Sequence, residues 1–275
     1  MAVEVVSGED PGWVLHDAGA FLASDPVQHN LILTLLHERV AYPEPGRYWV
    51  ATDGGAVVGV AFQSPLDFLA SLTPTSPEAV AALVDAIAES AVTLPGVIGE
   101  ATTAARFAGQ WTERRGSVAF PVEGQRIYEL ARAPQATAAG GRMRKASLDD
   151  RDLVLAWTRR FSIDVGQEAR DLEPVVERRL EAGHFWLWED GGPASMAANS
   201  EPVEGVVRLQ AVYTPPERRN RGFAGACVAG LSGRIREAGH RCILYTDLGN
   251  PTSNSVYRRI GYRAVAEGLC YRFEQ

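Results

Sequence analysis

Apolar residues recur along this chain with two periods. In Gly222–Ala238, Phe223, Cys227, Val228, Leu231 and Ile235 fall three and four apart, the spacing of one helix face. In Pro77–Val92, Val80, Leu83, Val84 and Ile87 do the same. Ser76-Pro77 ahead of them is a helix start: a serine oxygen can accept from first-turn amides, and proline has no amide to leave unpaired. Helical patterning also fills much of Trp13–Val40, Asp149–Arg160 and Glu173–Glu181, and a short helix is expected over Ser253–Arg259. Strand patterning occupies Phe185–Glu189, Pro193–Ser200, Val206–Tyr213 and Arg241–Thr246. Arg126–Arg132, Arg142–Lys145, Tyr262–Val265 and Leu269–Phe273 complete the expected strands.

One pattern occurs twice. RYWVATDGGAVVGVA at Arg47–Ala61 aligns without a gap on HFWLWEDGGPASMAA at His184–Ala198, an offset of 137 residues. Trp49/Trp186, Asp53/Asp190, the two glycine pairs and Ala61/Ala198 are identical. Average composition would give roughly one identity over such a stretch. Each copy reads as strand, Asp-Gly-Gly turn, strand, which is hairpin chemistry. An offset of half the chain points to a duplicated domain. The expected fold class is therefore α/β, a mixed, mostly antiparallel sheet flanked by helices, present in tandem. The small, flexible composition around Ala133–Gly141 marks a linker, giving a first domain over 1–133, a linker over 134–141 and a second domain over 142–275.

Composition narrows the function classes. The 275 residues are 46% hydrophobic and 22% charged, ordinary for a globular protein. With 27 Lys+Arg against 34 Asp+Glu, the net charge is −7. That disfavours a nucleic-acid or anionic-membrane partner, which needs clustered positive charge. Cys227, Cys242 and Cys270 form no CxxC pair and have no histidine at ligand spacing, so neither a disulfide framework nor a metal site is expected. No 18-residue apolar run and no apolar leader segment is visible, so a reducing, cytoplasmic location is expected.

Two stretches carry candidate chemistry. In VVRLQAVYTPPERRNRGFAGA (Val206–Ala226) a β-branched strand is ended by Thr214-Pro215-Pro216, and Arg219-Asn220-Arg221-Gly222-Phe223-Ala224-Gly225 opens a helix. Helix N-termini offer unpaired amides and a positive dipole end, the small residues allow close approach, and Arg219 and Arg221 add charge. A pyrophosphate is the expected ligand. The segment lacks the Lys-Ser/Thr of a P-loop and is not G-x-G-x-x-G. Arg218, Arg219 and Arg221 have no interleaved aromatics for nucleic acid. In CILYTDLGNPTSNSVYRRIGY (Cys242–Tyr262) a strand delivers Asp247, Asn250 and Asn254 to a turn and short helix bearing Tyr257, with Gly261 as its stop. Taken singly, Tyr257 reads as a core tyrosine, Asn250 as a turn residue and Asn254 as a first-turn residue.

Together and in this order, the two stretches resemble the GNAT superfamily of acyl-CoA-dependent N-acyltransferases. Arg219-x-x-Gly222-x-Ala224 is similar to its (R/Q)-x-x-G-x-(G/A) pyrophosphate motif, and Asn250, Tyr257 and Gly261-Tyr262 to its second motif. The resemblance covers about residues 142–275 and implies acetyl-CoA as cosubstrate. It implies that the backbone of Val212, Tyr213 and Thr214 binds the acetyl–pantetheine part. Amides of Asn220, Arg221, Gly222, Phe223, Ala224 and Gly225 would hold the pyrophosphate beside Arg219. Asn250 and Asn254 would contact the cofactor, and Tyr257 would stand near the thioester sulfur as general acid. A phenol with pKa near 10 is protonated at neutral pH and can supply a proton to a thiolate. The acceptor would be a small-molecule amine or a peptide, met on the loop Phe161–Glu168, and the protein a monomer or homodimer. Glu201, Glu204, Asp247, His184 and His240 are the candidate bases, and none carries a signature. A CoA-thioester sensor or scaffold without catalysis is the alternative. The first half has no R-x-x-G-x-(G/A): the offset of 137 sets Ala82, Asp85 and Ile87 opposite Arg219, Gly222 and Ala224. It reads as a degenerate copy that shapes the acceptor pocket or packs on the second domain.

Overall fold

The computed structural model describes residues 2–90, 92–135, 139–166 and 171–274, without the side chain of Glu123. The chain forms two compact units. The first comprises Met1–Ile127, Thr246–Asn250 and Ala264–Gln275; the second comprises Tyr128–Tyr245 and Pro251–Arg263.

The first unit runs β1 (Glu4–Gly8), α1 (Pro11–Ser24), α2 (Asn30–Ala41), β2 (Arg47–Asp53), β3 (Ala56–Gln63), β4 (Ala70–Leu72), α3 (Pro77–Glu89), β5 (Gly96–Glu100), α4 (Ala101–Arg115) and β6 (Val118–Leu130). The helical region Trp13–Val40 is thus two helices; β1, β4 and β5 are too short for periodicity to mark, whereas α4 carries the three-and-four spacing in Ala104, Phe107, Ala108 and Trp111 and is a further helix beyond those expected. The order β1-β2-β3 is antiparallel, β4 follows antiparallel to β3, and β5 is parallel to β4. The core packs the apolar face of α3 (Val80, Leu83, Val84, Ile87) and Phe107 and Trp111 of α4 against Trp49, Ala61 and Val97 of the sheet. Ser76 caps α3 by accepting from the amide of Ala79 at 3.2 Å, as its sequence predicts.

The rest of the chain repeats that order: β7 (Arg142–Lys145), α5 (Arg151–Asp164), α6 (Glu173–Glu181), β8 (Phe185–Glu189), β9 (Pro193–Asn199), β10 (Val206–Tyr213), α7 (Phe223–Glu237), β11 (Arg241–Asp247), α8 (Pro251–Ile260) and β12 (Tyr262–Glu274), of which the end of β11 and β12 from Ala264 on count with the first unit. Again three antiparallel strands precede an antiparallel β9–β10 pair and a parallel β10–β11 pair. The repeated hairpins are both present. Each slips register at the same step, Ala51/Thr52 in one copy and Trp188/Glu189 in the other. One face of this unit packs α7 and α8 against Val207, Leu209, Ala197, Cys242 and Leu244. The other packs α5 and α6 against Phe185, Leu187, Met196, Ala198 and Tyr213.

The division of the chain differs from the expected boundaries at its last strand. The two short closing strands are one, β12, and its outer residues Gly268–Arg272 pair antiparallel with Gly96–Glu100 of β5 in the first unit. Phe273 stacks on Trp111 with ring centroids 5.8 Å apart. In the second unit the end of β6 lies beside β11, where Glu129 accepts from Arg241 Nε at 2.8 Å. Local periodicity cannot report which edge a strand will choose, because edge pairing is a long-range decision. Of the expected linker, 134–135 and 139–141 belong to the second unit and 136–138 lie outside the described residues. The Gln135 amide donates to the Ile260 carbonyl at 2.8 Å, and Trp188 Nε1 donates to the Gly140 carbonyl at 2.8 Å.

Cys227, Cys242 and Cys270 are buried, and none is in a disulfide among the described residues. Burial pushes the thiol of Cys227 up to about 12 and that of Cys242 up to about 11. No helix among the described residues is long and apolar enough to cross a membrane.

Two predictions follow from this architecture. A fragment ending at residue 133 loses the β5–β12 pairing and the Phe273–Trp111 stack, and should show no cooperative unfolding transition in urea where the full chain does. Arg144 makes two hydrogen bonds to Asp150, at 2.6 and 2.7 Å, tying β7 to the start of α5. This holds the Asp150 carboxyl down at about 2. Its folded pKa lies below the unfolded value near 4, so its stabilisation is present above pH 4 and lost as pH falls toward 2. Asp150→Asn should cost about 1–2 kcal/mol at pH 7 and flatten the stability profile in that window, read by denaturant titration.

Candidate functional site

The second unit's candidate site begins with a defect in a ladder. Against β9, Gln210 faces Ala198 but Tyr213 faces Met196, so three steps on β10 match two on β9. Ala211 takes φ +50°, a β-bulge. The parallel register with β11 runs from Val206–Arg241 to Leu209–Leu244 and ends there. Beyond it, the β11-side edge at Gln210–Tyr213 is open to an extended ligand that pairs as a strand would. Val212 and Tyr213, which the resemblance assigns with Thr214 to the acetyl–pantetheine part, stand on that open stretch. Two carbonyls there are held in place: Tyr213's accepts from Ser195 Oγ at 3.0 Å and Thr214's from Arg219 Nε at 2.9 Å. The Tyr213 ring packs on Trp157, 5.8 Å between centroids.

The strand leads through a 3-10 turn at Pro216–Arg218 to the start of α7. Asn220 has φ +61° and Gly222 φ +81°. Left-handed residues at such a turn form the concave backbone geometry of anion-binding nests. Gly222 is the N-cap of α7 and offers no side chain to the first-turn amides of Phe223, Ala224 and Gly225; no acidic residue lies in that turn. A ligand anion can take that place. The first unit shows the contrast: α3 has Ser76 on its amides and Glu78 in its first turn. Helix order makes Ser76, not Asp85, the counterpart of Gly222, because the constant offset fails past the hairpin.

Sequence reading missed two acidic partners. Asp164, at the end of α5, accepts from Arg219 Nη2 at 2.7 Å, and Asp190, in the repeated hairpin turn, accepts from Arg221 Nη2 at 3.2 Å. Both arginines are about half exposed, and Arg221 also lies over the Phe223 ring at 4.8 Å. An incoming phosphate would exchange these carboxylates for its own oxygens. The DGG turn is the signal for Asp190; nothing local marks Asp164.

On α8, Asn254 is 3% exposed and its Oδ1 accepts from the Tyr128 hydroxyl at 3.0 Å. Tyr257 lies in the core between Tyr128 and Tyr262, with centroids 6.2 and 6.1 Å away. Burial pushes its phenol up to about 12, opposed by a hydrogen bond with Ser253, so it holds its proton across the neutral range. The helix ends at Gly261, φ +128°, whose amide donates to the Tyr257 carbonyl at 3.2 Å. Asn250 falls in the first unit, where its amide donates to the Asp247 carbonyl at 3.2 Å. Asp247 accepts from the Gly249 amide at 2.7 Å.

Of the candidate bases, His184 and Glu201 form a pair at 3.3 Å. Burial lowers the His184 pKa, with Arg179 and Lys145 acting in the same direction and Glu201 against it, which favours the neutral imidazole. Glu204 sits in a turn at φ +48°. Residues 167–168 of the expected acceptor loop lie outside the described residues; 161–164 continue α5.

Residues 189–271 match the family model for FR47-like protein. Among solved structures, a GNAT-family acetyltransferase from Colwellia psychrerythraea is 12% identical, covers 100% of both chains and superimposes with a TM-score of 0.61. A GCN5-related N-acetyltransferase from Sphaerobacter thermophilus is 17% identical, with 98% of this chain and 95% of that one covered and a TM-score of 0.63. One from Kribbella flavida is 18% identical over 79% of this chain and 87% of its own, with a TM-score of 0.54. No curated protein matches the sequence. Both units together thus have the fold of GNAT-type acetyltransferases, in keeping with the tandem α/β expectation.

Gly222→Ala places a Cβ 3.6 Å from that of Ala139, so space is no obstacle, but φ +81° is. The variant should lose about 1–2 kcal/mol in urea unfolding, whereas Gly225→Ala, inside the helix, has no such backbone penalty.

Proposed function

We propose that the protein is an acyl-CoA-dependent N-acetyltransferase whose cosubstrate, acetyl-CoA, binds in the second unit. The observation that carries this reading is the succession, in a few residues, of an open strand edge after a bulge and an uncapped helix N-terminus. The first suits an extended pantetheine, whose amides can pair with Val212, Tyr213 and Thr214. The second suits a pyrophosphate, held by the amides of Asn220 to Gly225 with Arg219 and Arg221 alongside. Neither feature occurs at the corresponding place in the first unit.

In the proposed reaction the acceptor amine attacks the thioester carbonyl directly. A C–N bond forms, the C–S bond breaks, and the departing thiolate takes a proton. Tyr257 is the proposed donor. Its phenol is protonated at neutral pH. Among the candidate bases, His184 stands beside Glu201 at 3.3 Å, and burial lowers its pKa. No covalent intermediate on the protein is required. The second reading, a CoA-thioester sensor without turnover, is favoured by one observation: Tyr257 is enclosed by Tyr128 and Tyr262.

Calorimetric titration with acetyl-CoA, free CoA and ATP tests the site. Binding of the first two but not ATP is expected, and Gly222→Asp should abolish it by setting a carboxylate where the phosphates belong. With an amine panel, Tyr257→Phe should lower kcat by roughly 10²- to 10⁴-fold while the Kd for acetyl-CoA stays within about twofold. Binding without turnover on any amine would favour the sensor, and an unchanged kcat in Tyr257→Phe would remove its role as acid.

A further inference from the structure

On β10, Val207 and Leu209 pack toward α7, so Arg208 and Gln210 point to the opposite face, the one α5 and α6 cover. A central strand position there should be apolar, yet it holds a guanidinium. Arg208 is 9% exposed. Among the described residues no carboxylate pairs with it, and its Nη1 is buried without a hydrogen-bond partner. Its only ring contact there is Tyr245, with Cζ 5.5 Å from the centroid. A buried charge without a counter-charge is costly, and a cation–π contact offsets only part of that cost. Two residues on, the Gln210 amide, assigned with its oxygen toward α6, accepts from Arg179 Nη1 at 3.0 Å and Nη2 at 3.2 Å. Arg208 stands three residues, about 10 Å of strand, ahead of the bulge at Ala211.

We infer that Arg208 is a specificity-determining residue that receives a carboxylate of the acceptor, so that the acceptor class is amines bearing a carboxylate, amino acids foremost. This rests on the acetyltransferase reading above. A carboxylate supplies what Arg208 lacks. It is the missing negative charge, it can accept from Nη1, and its two oxygens match the planar fork of the guanidinium. The Tyr245 ring and the Gln210–Arg179 pair flank the position, and the bulge beside it is where the open strand edge begins. A carboxylate bound at Arg208 therefore fixes one end of an acceptor whose amine lies toward that edge.

The test uses matched pairs in which hydrogen replaces the carboxylate: glycine with methylamine, alanine with ethylamine, phenylalanine with phenethylamine. Each is assayed for acetylation and, separately, titrated as a ligand by calorimetry. The carboxylate member should be preferred about 10- to 100-fold in kcat/KM or Kd. Arg208→Gln should erase the preference and leave the acetyl-CoA Kd within about twofold; Arg208→Lys should retain part of it. Free Arg208→Met should melt at or above the wild type, because it removes an unpaired buried charge. Equal use of both members by the wild type, or a preference that survives Arg208→Gln, overturns the inference. So does an Arg208→Met variant that melts well below the wild type while Arg208→Lys keeps no preference, which assigns Arg208 a packing role. If acetyl-CoA fails to bind but the carboxylate members bind through Arg208, the acetyltransferase reading falls and the carboxylate site stands.

Discussion

The candidate site depends on one interruption of a hydrogen-bond ladder. A central strand in a mixed sheet normally has both edges paired, because an unpaired buried peptide group is costly. In β10 the bulge at Ala211 turns the backbone, the parallel pairing with β11 stops at Leu209, and the peptides beyond are left for something else. The fold can hold this opening because the strand is anchored on its other side. Ser195 of β9 holds the Tyr213 carbonyl and meets the Thr214 hydroxyl at 2.9 Å, and the Tyr213 ring is locked against Trp157. The rigid side keeps the open side in shape.

The helix that follows completes the arrangement by omission. α7 has an apolar face that seats it on the sheet through Cys227, Val228, Leu231 and Ile235, while its first turn carries neither a capping side chain nor an acid. The dipole end and free amides are thus presented, not consumed. In the first unit the same helix is closed by its own serine. The same topology thus occurs twice, once with an uncapped and once with a capped helix start.

Charge balance around the turn is local. Arg219 and Arg221 have acidic partners, which limits the cost of a cationic loop. These exposed pairs contribute little to stability by themselves. Arg208 is the opposite case: a cation inside the unit, next to an aromatic ring, with no such partner among the described residues.

The amino-acid order determined by itself whatever short-range physics can decide. The face of α7, the serine-proline start of α3, the two Asp-Gly-Gly hairpins and the boundaries of α6, β7 and β10 all follow from periodicity and turn chemistry within a dozen residues. The Arg219–Gly225 turn was legible because proline, glycine and arginine each act on their immediate backbone. Tertiary structure decided the rest. It placed the outer part of β12 on β5, because strand-edge choice is settled by distant partners. It buried Tyr257 among two other tyrosines and joined Asn254 to Tyr128 across 126 residues. It gave Arg219 to Asp164, 55 positions away, and left Arg208 without a carboxylate among the described residues. Those outcomes depend on which side chains meet after folding, and no local pattern encodes a meeting between residues so far apart in the chain.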